Sequence, residues 1–303
     1  MTNKEIKALI SLLEDDDPEI YQHVSEQINQ LGDAIIPFLE EAWEESLNPD
    51  FQKKMEDLIH ELQFEGLKER LKNWKEEGAT NLLEGIWLVN TYQYPDVELA
   101  AITKSIEQIY YDAWVNLKPD MHPYDQVKAL NHAIFKMNKF SANTVNFHAP
   151  SNSMLHLVLE SRRGNPLTLC VIYLTIAQKL NLPVYGVNLP NLFILTFKQE
   201  GMEPFYINVY NKGLMLTKAD IDNYLLQLNL NPVPIFYEPA PNLAIVQRSL
   251  RNLAFSFEKM NDLEKAAEVT MLLDAITDDK DNLNKTDNDE YSGEDEEDDD
   301  SGF

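Results

Sequence analysis

The sequence predicts an α+β protein that is mostly helical and contains one small antiparallel sheet. Apolar residues recur at intervals of three and four over residues 1–76 and 78–140, which is the period of a helix. Three short runs rich in Val, Ile, Leu, Phe and Tyr follow between residues 184 and 210. Helical spacing returns over residues 242–276, so strands and helices are segregated along the chain rather than alternating.

Residues 1–76 predict helices only. Pro18 suits a first helical turn, Gly32 suits a helix end, and Asn48-Pro49 marks a boundary, so the region divides into four apolar stripes. Paired short helices of this kind resemble HEAT-type repeats, particularly the stretch LISLLEDDDPEIYQHVSEQINQLGDAIIPFLEEA. A helical bundle without repeat ancestry is the alternative.

The central region is predicted to span residues 78–240. It begins with three amphipathic helices, of which the first ends at Tyr94-Pro95. Further helices are predicted over residues 154–161 and 167–180, and strands over residues 184–187, 192–197 and 205–210. Gly201 and Lys212-Gly213 supply turns. This order predicts helices packed on an antiparallel sheet.

Two further segments complete the chain. Residues 242–276 predict a helical hairpin that turns at Asn261-Asp262 and resembles one tetratricopeptide unit. One such unit cannot bury both of its faces alone, so we expect it to dock on the central region. Residues 278–303 hold 13 acids and two lysines. Because this composition offers almost no apolar surface to bury, it predicts a disordered acidic tail.

Composition excludes several functions. The formal net charge of −26 disfavours nucleic acid and anionic lipid as partners. The one cysteine, Cys170, can form no intrachain disulfide, and the six histidines make no HExxH motif, so we expect no metal and no cofactor. The N-terminal stretch does not read as a signal peptide and no apolar run reaches about 20 residues, which predicts a soluble, cytoplasmic protein without membrane contact.

The stretch from Ala133 to Phe197 resembles the SirB family. The resemblance rests on the order and spacing of Pro150, Asn152, Ser153, Leu155, Val158, Leu159, Arg163, Gly164, Pro166, Leu169, Tyr173, Ala177, Leu180, Pro183, Gly186, Pro190 and Phe193. It covers roughly residues 78–276. The family implies a transglutaminase-like core that is commonly followed by tetratricopeptide units.

The resemblance also implies where a catalytic triad would lie. Enzymes of this superfamily carry a cysteine at the start of the core helix, a histidine on the next strand and an acid on the strand after that. Those positions correspond to Pro166, Leu192 and Asn208 in this chain. A proline cannot be a nucleophile, a leucine moves no proton, and an asparagine has no charge to orient a base. The sequence therefore predicts a retained scaffold without the chemistry.

Other residues of the chain are poor candidates to replace the three catalytic groups. Cys170 lies one turn into an apolar helix, where a buried thiol is inert. His148 and His156 are the nearest histidines in sequence, but neither lies on the strand where the base belongs. The acids at 15–17 are interpreted as loop capping rather than a cation site.

A candidate groove is the other predicted site. It would occupy the place that the triad lines in active relatives, with members Asn152, Arg162, Arg163, Asn165, Tyr173 and Phe193, and with Asn208 at its mouth. The alternative is that these residues only support the fold, with Asn152 capping a helix and Arg163 bracing the core helix.

Two classes of function follow. The first is a non-catalytic pseudo-enzyme that acts as an interaction or regulatory scaffold for a protein or peptide. The alternative is a cysteine hydrolase or acyl transferase that uses Cys170 with a histidine from elsewhere. The family name also suggests a regulator of a signalling or transcription system, although nothing in these residues supports direct DNA contact.

Overall fold

The computed structural model describes residues 1–15, 17–118 and 120–278. The predicted tail therefore lies, except for Asp278, outside the described residues, and so does Asp16. The described chain divides into two compact units, residues 1–73 and residues from 74 onward. It is mostly helical with small sheets, which confirms the predicted α+β class at that level.

The first unit is built from helices. They are α1 (Asn3–Ser11), α2 (Pro18–Leu31), α3 (Ile36–Glu45) and most of α4 (Pro49–Glu76). Thr2 and Glu5 form a capping box at α1, and Asp17 caps α2 with Pro18 at its first turn. The predicted stripes meet in one core, which is made of Leu9, Ile10, Leu13, Val24, Ile28, Ile35, Leu39, Phe51, Met55, Leu58 and Leu62.

The second unit begins with helices. These are α5 (Leu82–Thr91), α6 (Leu99–Trp114) and α7 (Pro123–Asn131), which continues as a π-helical turn over His132–Met137. Next comes a two-residue strand pair, β1 (Ser141–Ala142) and β2 (Arg163–Gly164), whose strands are parallel. Between them lie a 3-10 turn at Pro150–Asn152 and α8 (Leu155–Ser161), and α9 (Pro166–Lys179) follows. Every residue of α9 from Leu167 to Ala177 is buried.

The main sheet has four antiparallel strands in sequence order. They are β3 (Val184–Asn188), β4 (Phe193–Phe197), β5 (Phe205–Asn208) and β6 (Leu214–Leu216). Helix α9 packs on β3 and β4. The register pairs Gly186 with Leu195, and Leu195 with Ile207. All residues of β4 and β5 are buried, because the sheet is covered on both faces.

Three helices follow the sheet: α10 (Lys218–Gln227), α11 (Asn242–Lys259) and α12 (Leu263–Ala275). The hairpin of α11 and α12 packs through α11 against α5. The approach is close at Gly85, where a Cβ atom would lie 2.5 Å from Trp74 and 2.8 Å from Val246. The described helices include none with the length and apolar character of a membrane span.

The elements that were not anticipated include both strands of the β1–β2 pair and α10. Helix α10 has a readable signal, since Thr217 and Asp220 form a capping box at its start. The β1–β2 pair has no such signal in the sequence, because long-range packing rather than a local pattern determines strands of two residues.

Candidate functional site

Pro166 is the first residue of α9, and the helix start around it is closed by side chains. The residue before it, Asn165, accepts hydrogen bonds at Oδ1 from the backbone nitrogen and the hydroxyl of Thr168, at 2.8 and 3.0 Å. Its Nδ2 donates to Ser153 Oγ at 3.0 Å. Asn165 is therefore a helix cap that also ties α9 to the preceding turn. Pro166 itself offers no backbone N–H.

Leu192 lies in the turn between β3 and β4, which two side chains clamp. Arg248 of α11 donates through Nη1 to the carbonyls of Leu189 and Leu192, at 2.8 and 3.4 Å, and to Asn188. From α10, the Tyr224 hydroxyl donates to the Pro190 carbonyl at 2.8 Å. These bonds hold the turn in one conformation.

The Leu192 side chain packs against an apolar cluster that α10 and the sheet share. Its buried members are Val187, Leu189, Ile194, Tyr206, Ile221 and Leu225. A leucine in this setting contributes burial and nothing ionisable.

Asn208 is the last residue of β5 and is 5% exposed. Continuing the β4–β5 register by one pair places it opposite Ile194, two residues from Leu192. Its Oδ1 accepts from the backbone nitrogen of Asn211 at 3.1 Å, and its carbonyl accepts from Gly213 at 2.9 Å. The side chain thus forms the turn after β5, which is a common use of asparagine.

Cys170 is fully buried on α9, one turn after Pro166. Its Sγ donates to the carbonyl of Phe193 at 3.4 Å, next to the Leu192 position. Burial raises the pKa of the Cys170 thiol well above its ordinary value, and the nearby positive charge of Arg248 offsets only part of that rise. Such a thiol is neutral at physiological pH and has no path to a substrate.

A groove of about 700 Å³ lies beside the start of α9. It is lined by polar side chains and two apolar ones, namely Asn143, Val145, Asn146, Ser151, Asn152, Leu157, Glu160, Ser161 and Arg163. Two of the predicted groove residues, Asn152 and Arg163, line it. The groove is therefore formed by the 143–152 loop, α8 and β2.

Asn152 is 2% exposed and holds the 143–152 loop in place. Its Nδ2 donates to the carbonyls of Asn146 and Phe147, at 2.6 and 2.9 Å. Its Oδ1 accepts from Asn143 Nδ2 at 2.7 Å. The same residue thus lines the groove and fixes the shape of one of its walls.

The other predicted groove residues lie elsewhere. Tyr173 is fully buried, and its hydroxyl donates to Asn131 Oδ1 at 3.0 Å. Phe193 is 2% exposed and belongs to the core. The guanidinium of Arg162 lies 4.8 Å from the centre of the Phe140 ring, and burial lowers its pKa. The structure therefore does not bring these three to the groove lining.

The two histidines nearest to the core helix in sequence contact residues other than a nucleophile. His156 Nδ1 lies 2.5 Å from Asn90 Nδ2, and burial lowers the pKa of its ring. His148 is exposed, with its ring 5.5 Å from that of Phe255. The Cys170 thiol instead donates to the carbonyl of Phe193. In the described part of the chain, no group of three or more His, Cys, Asp or Glu is placed to hold a metal ion.

Arg248 and Tyr224, which clamp the turn at the histidine position, were not among the predicted site residues. The pattern of residues 242–276 indicates only an apolar hairpin. A signal was available, because Arg248 lies among the buried residues Val246, Ser249 and Leu250, where a cation needs partners.

We expect Asn152→Ala to loosen the groove wall. The change removes three hydrogen bonds and leaves two backbone carbonyls short of a donor, so the free energy of unfolding should fall by about 2–3 kcal/mol. Amide exchange over residues 143–148 should accelerate. Denaturant unfolding and hydrogen exchange measure both effects.

Ser151→Ala is the matched control, since Ser151 is exposed and lines the same groove. It should change stability by no more than about 0.5 kcal/mol. If Asn152→Ala behaved like this control, the assignment of Asn152 as the residue that shapes the loop would be wrong.

The geometry defines a class: an α+β protein in which the start of a buried helix approaches an antiparallel sheet. A family model for the transglutaminase-like superfamily matches residues 100–251. The chain belongs to the transglutaminase-like superfamily. No solved structure matches it.

Curated relatives include UPF0162 proteins and an F-box protein. A UPF0162 protein of Xylella fastidiosa (strain 9a5c) is 27% identical over 197 residues, which are 61% of this chain and 68% of the relative. A UPF0162 protein of Pasteurella multocida is 42% identical over 128 residues, or 41% and 48% of the two chains. Mouse F-box only protein 21 is 30% identical over 132 residues, but these are only 21% of its length.

Proposed function

We propose that this protein is a non-catalytic transglutaminase-like scaffold that binds a protein or peptide partner. One observation carries the proposal: each of the three positions where family resemblance puts catalytic groups holds a residue with a structural role. Pro166 starts α9, Leu192 packs in an apolar cluster, and Asn208 closes a turn. The burial of Cys170, the chain's one cysteine, adds support.

The proposal is more specific than membership of the transglutaminase-like superfamily. It makes the chain a SirB-type member with degenerate triad positions, on the strength of the residues at Pro166, Leu192 and Asn208. It interprets the first unit as HEAT-like and the α11–α12 hairpin as tetratricopeptide-like. Helix pairs of both kinds present surfaces to other proteins, which is consistent with a scaffold.

The proposed partner site is the groove formed by the 143–152 loop, α8 and β2. Its polar lining suits the backbone of a peptide, and Arg163 and Glu160 could fix its orientation. The net charge of −26 argues against nucleic acid and anionic lipid. The same proposal puts the protein in the cytoplasm, which the single unpaired cysteine fits.

The alternative is a cysteine hydrolase or acyl transferase that uses Cys170. It would need the thiol to reach solvent and lose its proton, and it would need a histidine brought to it. Burial and the raised pKa of Cys170 both oppose this.

An activity assay separates the two. The full chain is tested for hydrolysis of small esters and amides and for acyl transfer to amines, beside Cys170→Ser. We expect both proteins to match the buffer blank. Turnover by the native chain that vanishes in a folded Cys170→Ser variant would overturn the scaffold proposal in favour of the enzyme.

A further inference from the structure

Next to the proposed groove, aromatic and basic side chains from three separate segments meet on one surface. We name it the aromatic–basic face, and its members are Phe147, His148, Tyr210, Arg251, Phe255 and Lys259. The Phe147 ring lies 6.5 Å from that of Tyr210 and 5.2 Å from that of His148. The His148 ring lies 5.5 Å from that of Phe255. These contacts join the 143–152 loop, the turn after β5 and α11.

The face is accessible and apolar at its centre. Phe147 is 45% exposed, which is unusual for a large aromatic side chain, and His148 is also exposed. Phe255 and Tyr210 are partly exposed. The ammonium of Lys259 lies 5.2 Å from the centre of the Phe255 ring. Arg251 lies one helical turn before Phe255 on α11 and thus on the same side.

The face carries positive charge in a strongly acidic protein. The three segments that build it, residues 143–152, 205–215 and 242–259, contain one acid, Glu258. Apart from Arg248, which bonds to the β3–β4 turn, they contain three cations, Lys212, Arg251 and Lys259, whereas the whole chain has a net charge of −26. This local reversal of charge suits an acidic segment that also carries aromatic residues, because ion pairs and ring contacts can then form together.

Such a segment is attached to the same unit. Residues 279–303 contain 12 acids, two lysines, Tyr291 and Phe303. The carbonyl of Ile276 accepts a hydrogen bond from Gln247 of α11 at 3.2 Å, and the Asp278 carboxylate lies 2.6 Å from Lys75 Nζ, so the last described residues lie near the start of α11 and the end of α4. From Gln247 to Lys259 the helix rises only about 18 Å, whereas 25 residues can span up to about 80 Å. The segment is therefore long enough to reach the face. Because it is covalently attached to the same chain, its effective concentration at the face is on the order of millimolar.

We propose that residues 279–303 bind the aromatic–basic face. Because ion pairs contribute to this contact, salt and competing acidic peptides should weaken it.

A nitroxide label tests the contact in the full chain. Ser301→Cys carries the label in a Cys170→Ser background, so that residue 301 alone is modified. Paramagnetic broadening of amide NMR signals should localise to residues 145–148, 210–212 and 251–259. It should disappear in about 1 M salt, where the screening length falls to about 3 Å. Broadening that is absent or spread evenly over the fold would overturn the proposal.

Charge reversal tests the named residues. Arg251→Glu with Lys259→Glu should abolish the localised broadening. Lys104→Glu with Lys136→Glu, two exposed lysines outside the face, makes the same charge change and should preserve it. If both pairs gave the same result, the face would not be the binding site. Broadening that arises only between separate chains would assign the occupant to a second copy and overturn the intramolecular proposal.

A second measurement avoids any change at Cys170. A full chain whose 12 tail acids are replaced by Asn or Gln should differ from the native chain in the amide shifts of the face at low salt, and the two should converge at high salt. Identical shifts would contradict the proposal. Neither experiment measures catalysis, so the tail proposal can fail while the non-catalytic scaffold stands, and the reverse also holds.

Discussion

A chain shortened to residues 1–241 is expected to lose cooperative folding and to aggregate. The deletion removes α11 and α12, which bury large apolar side chains between themselves and the core. These are Ile245, Val246, Leu250, Leu253, Phe257, Val269, Leu272 and Leu273. Each such burial stabilises by about 1.5–3 kcal/mol, so the loss exceeds the stability of an ordinary domain. The cut also exposes the α5 surface at Gly85 and removes the Arg248 clamp on the β3–β4 turn.

Deletion of residues 279–303 provides the comparison. That segment has few apolar residues to bury, and a contact with the aromatic–basic face lies outside the core, so its loss should shift the thermal midpoint far less than loss of the hairpin does. Light scattering and thermal unfolding distinguish the two shortened chains. A soluble, cooperatively folded 1–241 chain would make the hairpin an independent appendage rather than part of the core.

Gly213→Ala is expected to destabilise the fold by about 3–5 kcal/mol, from left-handed strain and a lost buried hydrogen bond. Gly213 has φ +75°, and a Cβ atom there would lie 2.0 Å from Asn131 Oδ1. Asn131 must then move, although its Nδ2 donates to the Gly213 carbonyl at 2.8 Å and its Oδ1 accepts from the buried Tyr173 hydroxyl. Urea denaturation measures the change.

Gly201→Ala is the matched control for this substitution. Gly201 has φ +79°, and a Cβ atom there meets nothing within 4 Å. It should therefore show only the left-handed strain of about 1–2 kcal/mol. Equal effects at the two glycines would mean that the Asn131 contact contributes nothing to stability.

The predicted helices and strands of the second unit lie close to those observed, because their signals are local. The apolar run from Leu167 and the turn at Gly164–Pro166 locate α9, and Val184 and Phe205 begin observed strands. The sequence could not show which polar side chains form hydrogen bonds with which partners. Asn152 bonds residues five and six positions away, and Arg248 reaches a turn 56 to 60 residues earlier in the chain.

The sequence also could not show which of the predicted groove residues line the groove and which lie in the core. Tyr173 and Phe193 occur in the resemblance beside Asn152, and nothing in their spacing separates core from surface. Their burial follows from the packing of α9 on β3 and β4. The basic side of α11 was likewise hidden, because the apolar stripe that identifies a helical hairpin says nothing about its outer face.

The central proposal is that the transglutaminase-like fold is retained here without a nucleophile. It depends on Cys170, since the sequence contains no other cysteine. The thiol is fully buried, and burial holds its pKa well above the ordinary value. In the native state it should therefore meet reagents only when the protein opens.

The most direct measurement is the rate at which a small disulfide reagent modifies the thiol of the native full chain between about pH 7 and pH 9, where an ordinary thiol ionises. We expect modification no faster than the opening of the native protein, whereas a cysteine introduced at exposed Ser151 in a Cys170→Ser background reacts at once. Rapid, stoichiometric modification of Cys170 in the folded protein, with an apparent pKa below that of an ordinary thiol, would contradict the proposal and identify an enzyme.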